Sequence, residues 1–97
     1  MDNTENALNN PLILVVDDDN RLRKLLQKFL TDSGYRVFTA ADTREADEMR
    51  GWYQFDLLVV DVMMPHETGL EFTARLRKEG DNVPVLMLTA MGETDDR

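Results

Sequence analysis

The sequence contains short runs of apolar residues separated by longer stretches of mixed polarity. Two runs, Leu12-Ile13-Leu14-Val15-Val16 and Leu57-Leu58-Val59-Val60, are wholly apolar, and aspartate follows each of them. Such runs are typical of strands that are buried on both faces, as in a parallel sheet. Residues 83–88 predict another strand, with Pro84 at its opening, and the less apolar residues 35–39 predict a strand nearer the sheet edge.

The segments between these runs carry apolar residues at helical spacing. The first predicted helix ends at Ser33-Gly34, and Asp19 or Asn20 can cap its start. Its apolar stripe consists of Leu22, Leu25, Leu26, Phe29 and Leu30. A second helix is predicted to open at Asp42, which has capping-box spacing to an acidic residue, and a third is predicted over residues 70–78.

Strands and helices therefore alternate along the chain, which predicts an α/β fold with a doubly wound parallel sheet and right-handed crossovers. The second strand is the least apolar and the third is strongly apolar, which favours the strand order 2-1-3-4. This order places the first and third strands side by side at the switch point, where open α/β sheets bind ligands. We expect Asp17, Asp18 and Asp61 to converge there, with Thr89 facing the same crevice.

The converging carboxylates predict a chemical role for this crevice. Pro65 turns the chain away from the sheet soon after Asp61. Three nearby carboxylates repel one another, so at least one pKa rises unless a cation lies between them. Mg²⁺ prefers oxygen ligands and also binds phosphate oxygens, and a carboxylate beside it can attack phosphorus to form an acyl phosphate. Alternatively, Asp17-Asp18-Asp19 is only a cluster at a helix N-terminus, which is the interpretation we prefer for Asp19.

The composition narrows the classes of protein further. The chain has 97 residues, enough for one domain, and we interpret residues 1–11 as a flexible N-terminal leader and residues 12–97 as the domain. The net charge of -8 disfavours nonspecific binding to nucleic acid or anionic membranes. The chain has no cysteine for disulfides or thiolate chemistry, and no apolar run approaches the ~20 residues of a membrane span. We expect a soluble cytoplasmic protein.

Three motifs carry a family resemblance. They are Val15-Val16-Asp17-Asp18-Asp19, Val59-Val60-Asp61-Val62-Met63-Met64-Pro65 with Gly69 eight places after the acid, and Met87-Leu88-Thr89-Ala90. Together they resemble, over residues 12–91, the receiver domain of bacterial two-component response regulators, in the style of the winged-helix transcription-factor group. The resemblance implies a five-stranded flavodoxin-like fold and a signalling domain that is not a conventional enzyme.

The same resemblance implies a role for each matching residue. Asp61 is then the phosphoacceptor and Mg²⁺ the cofactor. Asp18 is a direct Mg²⁺ ligand, Asp17 helps through water, and the backbone carbonyl of Met63 completes the protein's ligands. Thr89 is the switch hydroxyl that moves toward the phosphoryl group. The implied donor is a phosphohistidine on a sensor histidine kinase, and DNA is bound by a domain outside this chain.

The sequence departs from the family pattern in two places. The loop His66-Glu67-Thr68-Gly69 lacks the acidic residue often found just before the glycine, which is a minor variation. A receiver also continues with a fourth helix, a fifth strand ending in a lysine that contacts the phosphoryl group, and a fifth helix. Lys78 is the last lysine here. The sequence therefore resembles a receiver cut within its fourth helix, and we expect a fragment of a longer regulator.

Two consequences are expected for such a fragment. Without a fifth strand, residues 85–89 form an exposed apolar sheet edge, and an edge of this kind pairs with other chains. This predicts a homodimer or higher oligomer through that edge or through exchanged segments. Phosphotransfer by the chain alone is expected to be weak, because the missing lysine would stabilise the transferred group.

Other classes of protein share parts of this pattern. A receiver-like interaction or dimerisation module that is not phosphorylated stays open as an alternative. A phosphatase or phosphomutase with an aspartyl nucleophile is disfavoured, because such enzymes typically place a second acid where this chain has Met63. A flavin-binding flavodoxin is disfavoured because Asp17-Asp18-Asp19 would repel the phosphate of the flavin.

Overall fold

The structure, a computed structural model, describes residues 9–89 of the chain, in which four strands alternate with three helices. The strands are β1 (Leu12–Val16), β2 (Arg36–Ala40), β3 (Leu57–Asp61) and β4 (Val85–Leu88). The helices are α1 (Asn20–Asp32), α2 (Thr43–Trp52) and α3 (Gly69–Lys78). None of these helices is both long and apolar enough to cross a membrane. Most of the predicted leader and the start of the implied fourth helix lie outside the described residues.

The strands form one parallel sheet in the order β2-β1-β3-β4, which confirms the predicted order. In this sheet Val16 of β1 lies opposite Ala40 of β2 on one side and Val60 of β3 on the other. The carboxyl ends of β1 and β3 are therefore level. Because Asp17 follows Val16 and Asp61 follows Val60, the register alone places the two acids side by side.

Helices cover both faces of the sheet, so it is doubly wound as predicted. On one face the packed residues are Leu14, Val16, Leu58 and Val60 of the strands, Ala46 of α2, and Phe72 and Leu76 of α3. On the other face Ile13, Val15 and Val59 pack against Leu26 and Leu30 of α1. All five residues of β1 are buried. The centre of the sheet is thus a rigid support for whatever follows its carboxyl ends.

Side-chain caps fix the starts of the helices. The Asp19 carboxylate accepts two N–H groups from the first turn of α1, at 3.0 and 3.1 Å, which confirms the preferred interpretation of Asp19 as a cap. Asp42 accepts the N–H of Glu45 at 2.9 Å. Glu45 in turn accepts the N–H of Ala41 at 2.8 Å, one residue before the expected partner. The predicted helix starts are therefore correct to within one residue.

Three details differ from the sequence prediction. β4 begins at Val85 instead of residue 83, because Pro84 has no N–H to donate, although its carbonyl accepts from Leu58. β2 starts one residue later than predicted. The apolar stripe of α1 is wider than the surface it buries, since Leu25 and Phe29 are each 63% exposed. In residues 9–89, α1 is the only helix that packs on its face of the sheet.

Candidate functional site

The structure brings the three predicted acids together. Asp17 and Asp18 follow β1, and Asp61 is the last residue of β3. Each of them offers one carboxylate oxygen, and these oxygens lie within 4.8 Å of one another. We call these three residues the acidic cluster. Oxygens at this separation can share one divalent cation, and carboxylate oxygen is the ligand type that Mg²⁺ prefers.

Asp17 is the buried member of the acidic cluster, with only 1% of its surface exposed. One carboxylate oxygen accepts the N–H of Asp19 at 2.8 Å, whereas the other oxygen, Oδ2, is buried without a hydrogen-bond partner. Burial raises the pKa of the Asp17 carboxyl above its ordinary value. The N–H of Asp19 acts against this increase in pKa, and the negative charges of Asp61 and Asp18 add to it. A buried, unpaired carboxylate oxygen fits a site that holds a cation and its bound water.

The backbone around Asp17 is held on two sides. Its N–H donates to the carbonyl of Ala40 at 3.1 Å, and its carbonyl accepts from the guanidinium of Arg23 at 2.7 Å. Arg23 is also bound to the Asn20 side chain, one turn earlier on α1, at 2.7 Å. Sequence reasoning did not single out Arg23, since its helical position gave no sign that it contacts a strand end.

Asp61 is half-buried, and Asp18 is exposed. The Asp61 carboxylate accepts the N–H of Met63 at 3.1 Å. Burial raises the pKa of the Asp61 carboxyl above its ordinary value, the N–H of Met63 opposes this increase, and the negative charge of Asp18 adds to it. Asp61 is therefore oriented by its own loop and remains accessible from solvent.

The loop between β3 and α3, residues 62–68, is closely fitted against the end of β3. The side chain of Met64 is buried, whereas Met63 is 69% exposed. Gly69 donates to the carbonyl of Val62 at 2.9 Å. A Cβ at Gly69 would lie 2.4 Å from the carbonyl oxygen of Asp61, so only glycine fits there. His66 takes the left-handed backbone conformation, with φ of 74°.

Thr89 lies at the carboxyl end of the sheet, as the acidic cluster does. Leu88, the last residue of β4, is opposite Asp61 in the register, and its carbonyl accepts the N–H of Val62 at 2.9 Å. Thr89 is the next residue and is exposed. The structure thus brings all the predicted site residues to the carboxyl ends of the strands. Lys78 lies in the last turn of α3, as predicted.

A second feature of this region was not predicted. Both oxygens of Glu67, in the 62–68 loop, accept from the guanidinium of Arg75 on α3, each at 2.9 Å. Arg75 also binds Asp47 of α2 at 3.0 Å. These residues lie 8 and 28 positions apart, so no local sequence pattern indicates the pairing. A cavity of about 600 Å³ is lined by residues that include Tyr53 and Asn82, and it does not include the acidic cluster.

The molecule is a parallel α/β domain with the acidic cluster at the switch point of its sheet, and this combination indicates its class of protein. A family model described as the response regulator receiver domain matches residues 13–97. The chain belongs to the response regulator receiver domain family, which confirms the resemblance seen in the sequence. Receiver domains are signalling domains of two-component systems.

Curated relatives agree with the family assignment. Protein PetR of Rhodobacter capsulatus is 47% identical over 87 residues, which cover 90% of this chain and 36% of that protein. Response regulator MprA of Mycolicibacterium vanbaalenii is 45% identical over 85 residues, or 88% of this chain and 37% of that protein. The probable transcriptional regulator ycf27 of Cyanidium caldarium is 42% identical over 88% of this chain and 34% of its own. The chain therefore spans about a third of the length of these relatives.

Solved structures agree with the fold. The receiver domain of the Francisella response regulator 1452 superimposes with a TM-score of 0.80 at 32% identity, over 90% of this chain and 72% of that chain. The response regulator TrrA of Thermotoga maritima, solved in complex with Mg(2+)-BeF, gives a TM-score of 0.76 at 33% identity, over 89% of this chain and 76% of that one. The flavodoxin-like receiver fold is thereby confirmed.

Proposed function

We propose that this chain is the phosphoacceptor domain of a two-component response regulator, and that Asp61 accepts a phosphoryl group from a phosphohistidine of a sensor kinase. One observation carries the proposal. Three carboxylates from the ends of β1 and β3 lie within 4.8 Å of one another, and the buried Oδ2 of Asp17 has no partner. This arrangement is unfavourable unless a cation joins it.

The donor set of the acidic cluster fits Mg²⁺. Asp18 and Asp61 are accessible carboxylates that could bind the ion directly, Asp17 would act through a bound water, and the Met63 carbonyl would supply one more oxygen. Mg²⁺ keeps several waters and binds phosphate oxygens, so two or three protein ligands suffice. When bound, the ion supplies positive charge that neutralises the phosphoryl oxygens during transfer. The complex of the similar regulator TrrA with Mg(2+)-BeF supports this choice of metal.

In the proposed transfer, a carboxylate oxygen of Asp61 attacks the phosphorus atom of the donor. The new O–P bond forms as the P–N bond to the donor imidazole breaks, and the electron pair of that bond returns to the imidazole nitrogen, which takes up a proton. The N–H of Met63, 3.1 Å from Asp61 Oδ1, holds the carboxylate in place for the attack. The hydroxyl of Thr89 would donate to a phosphoryl oxygen of the product.

The wider role is proposed from the relatives. The names of MprA and ycf27 describe a response regulator and a probable transcriptional regulator. We propose that phosphorylation of this domain in the cytoplasm controls a DNA-binding domain elsewhere in a longer protein, and that the domain promotes its own phosphorylation and dephosphorylation without being a conventional enzyme.

The proposal is tested by the intact mass of the chain after incubation with Mg²⁺ and acetyl phosphate. Because phosphotransfer by the chain alone is expected to be weak, we expect a slow gain of one phosphoryl group that disappears when Mg²⁺ is chelated. Asp61→Asn should abolish the gain. Asp19→Asn is the matched control, because it removes a neighbouring charge of the same kind while asparagine still caps α1. A gain that persists in Asp61→Asn, or no gain in a chain that binds Mg²⁺, would contradict the proposed function.

A second function, self-association, is favoured by the open edge of the sheet. In the described residues, β4 pairs with β3 on one side and with no strand on the other. Leu86 of β4 is 55% exposed. Unpaired N–H and C=O groups beside an exposed apolar side chain favour pairing with another chain. The predicted dimer or higher oligomer through residues 85–89 therefore stands as a proposal for this chain.

A further inference from the structure

The 62–68 loop is attached to the domain by an ion pair that the proposed chemistry does not use. Arg75 Nε lies 2.9 Å from Glu67 Oε2, and Arg75 Nη2 lies 2.9 Å from Glu67 Oε1. This is the parallel two-bond geometry that makes arginine–carboxylate pairs both strong and directional. The Glu67 side chain is 23% exposed and the Arg75 side chain 35%. The pair is therefore partly shielded from solvent.

Arg75 is itself fixed by other contacts, so it cannot simply follow the loop. Its Nη2 binds Asp47 Oδ2 of α2 at 3.0 Å. Its guanidinium lies over the ring of the buried Phe72, 5.2 Å from the ring centre. Asp47 is held in turn by Arg50 at 2.8 Å. Glu67 is thus attached to a guanidinium that is anchored to two helices.

The loop depends on this attachment because its other contacts lie near its ends. Met63 donates to Asp61 and Gly69 donates to Val62 at the β3 side. Met64 is buried in the core. Between Met64 and α3, the Glu67 side chain binds Arg75. Thr68, the last residue of the loop, caps α3 through reciprocal hydrogen bonds with Glu71. An exposed loop with few attachments is expected to sample several conformations.

We propose that Arg75 is a positioning residue for the acidic cluster. Its ion pair with Glu67 fixes the 62–68 loop, and with it Met63, beside the three carboxylates. The inference rests on the proposed function, in which Met63 contributes a ligand to Mg²⁺. Partly exposed ion pairs contribute little to overall stability. The main effect of this ion pair is therefore to order the 62–68 loop. Residues that orient a metal ligand affect the affinity for the metal in this way.

The chain offers a matched set of variants. Arg75→Lys keeps the charge but loses the two-bond geometry, and Glu67→Gln keeps the shape but loses the charge. Arg77→Lys is the control, because it makes the same change on the same helix at a residue that binds the carbonyl of Asp81 and not the loop. Circular dichroism verifies that each variant is folded.

Two readouts test the proposal on the full 97-residue chain. Calorimetric titration with Mg²⁺ should give dissociation constants raised about tenfold in Arg75→Lys and Glu67→Gln, and unchanged in Arg77→Lys. The double variant Arg75→Lys/Glu67→Gln should bind Mg²⁺ no more weakly than either single variant, because both substitutions remove the same interaction. Amide exchange without metal should accelerate at Glu67, Thr68 and Gly69 but not inside α3, a pattern that a general loss of stability would not produce.

The possible results separate the two proposals. If the unmodified chain binds Mg²⁺ and both loop variants bind it equally well, the positioning role is wrong and the proposed function stands. If Arg77→Lys weakens Mg²⁺ binding as much as Arg75→Lys, the effect belongs to the helix and the positioning role is again wrong. If the unmodified chain binds no Mg²⁺ at all, the proposed function fails and the positioning role fails with it.

Discussion

At the scale of single residues, Asp17 shows how the site opposes folding. A carboxylate that is 1% exposed, with one oxygen unpaired, is less stable in the folded chain than in water. Burial and the neighbouring charges raise the pKa of the Asp17 carboxyl. The side chain is thus held ready for a cation at the expense of the stability of the metal-free fold.

Asp17→Asn should therefore raise the free energy of unfolding of the metal-free chain at pH 7, by about 1 kcal/mol. Asparagine keeps an oxygen for the N–H of Asp19 and removes the charge. The pKa of Asp17 is raised in the folded state, so the wild-type chain gains stability as the pH falls and this carboxyl becomes protonated. The difference between variant and wild type should accordingly shrink in acid.

Urea unfolding in the presence of a chelator, and again with Mg²⁺, measures this effect. Mg²⁺ should stabilise the wild type by mass action and stabilise Asp17→Asn much less. A variant that is less stable than the wild type without metal would contradict this account of Asp17.

At the scale of the elements, the close approach of α3 to β3 sets the shape of the 62–68 loop. Gly69 begins α3 where a Cβ would lie 2.4 Å from the carbonyl oxygen of Asp61 and 3.1 Å from a side-chain carbon of Val60. Gly51, inside α2, has nothing within 4 Å of the same position. A side chain would therefore clash with the backbone at Gly69, whereas at Gly51 there is space for one.

Gly69→Ala should lower the free energy of unfolding by about 2–4 kcal/mol, because the backbone of β3 or α3 must shift to admit the methyl group. Gly51→Ala, the matched control, should raise it by about 0.5–1 kcal/mol, because alanine favours helix and meets no neighbour. Chemical denaturation of the two variants checks both signs. Equal effects of the two substitutions would show that the contact at Gly69 is not tight.

The elements also show how far the sequence predicts this molecule. The strands at 12–16 and 57–60 and the capping residue Asp19 follow from local patterns, because burial on both faces and capping each require particular residue types. The convergence of Asp17 with Asp61 follows once the strand order is known. The ion pair of Arg75 with Glu67 does not follow from local patterns, because its partners are brought together only by the packing of α2, α3 and the loop.

At the scale of the whole molecule, the sheet ends in an unpaired strand within residues 9–89. β4 exposes Leu86 beside its free edge, whereas Leu70 of α3 is an equally apolar residue, 62% exposed, that lies on a helix. We expect light scattering at high concentration to show a dimer or larger assembly. Leu86→Lys should shift the chain toward monomer, since charge on an edge strand opposes pairing. Leu70→Lys should leave the assembly unchanged, and a clean wild-type monomer would refute this proposal.

The central claim is that Asp61, among several neighbouring carboxylates, carries the phosphoryl group. The most direct measurement is to treat the phosphorylated chain with borohydride, which reduces an aspartyl phosphate to homoserine, and to locate that residue by peptide mass spectrometry. We expect homoserine at position 61, dependent on Mg²⁺, and aspartate unchanged at positions 17, 18 and 19. Reduction at any of those three positions, with position 61 intact, would contradict the account.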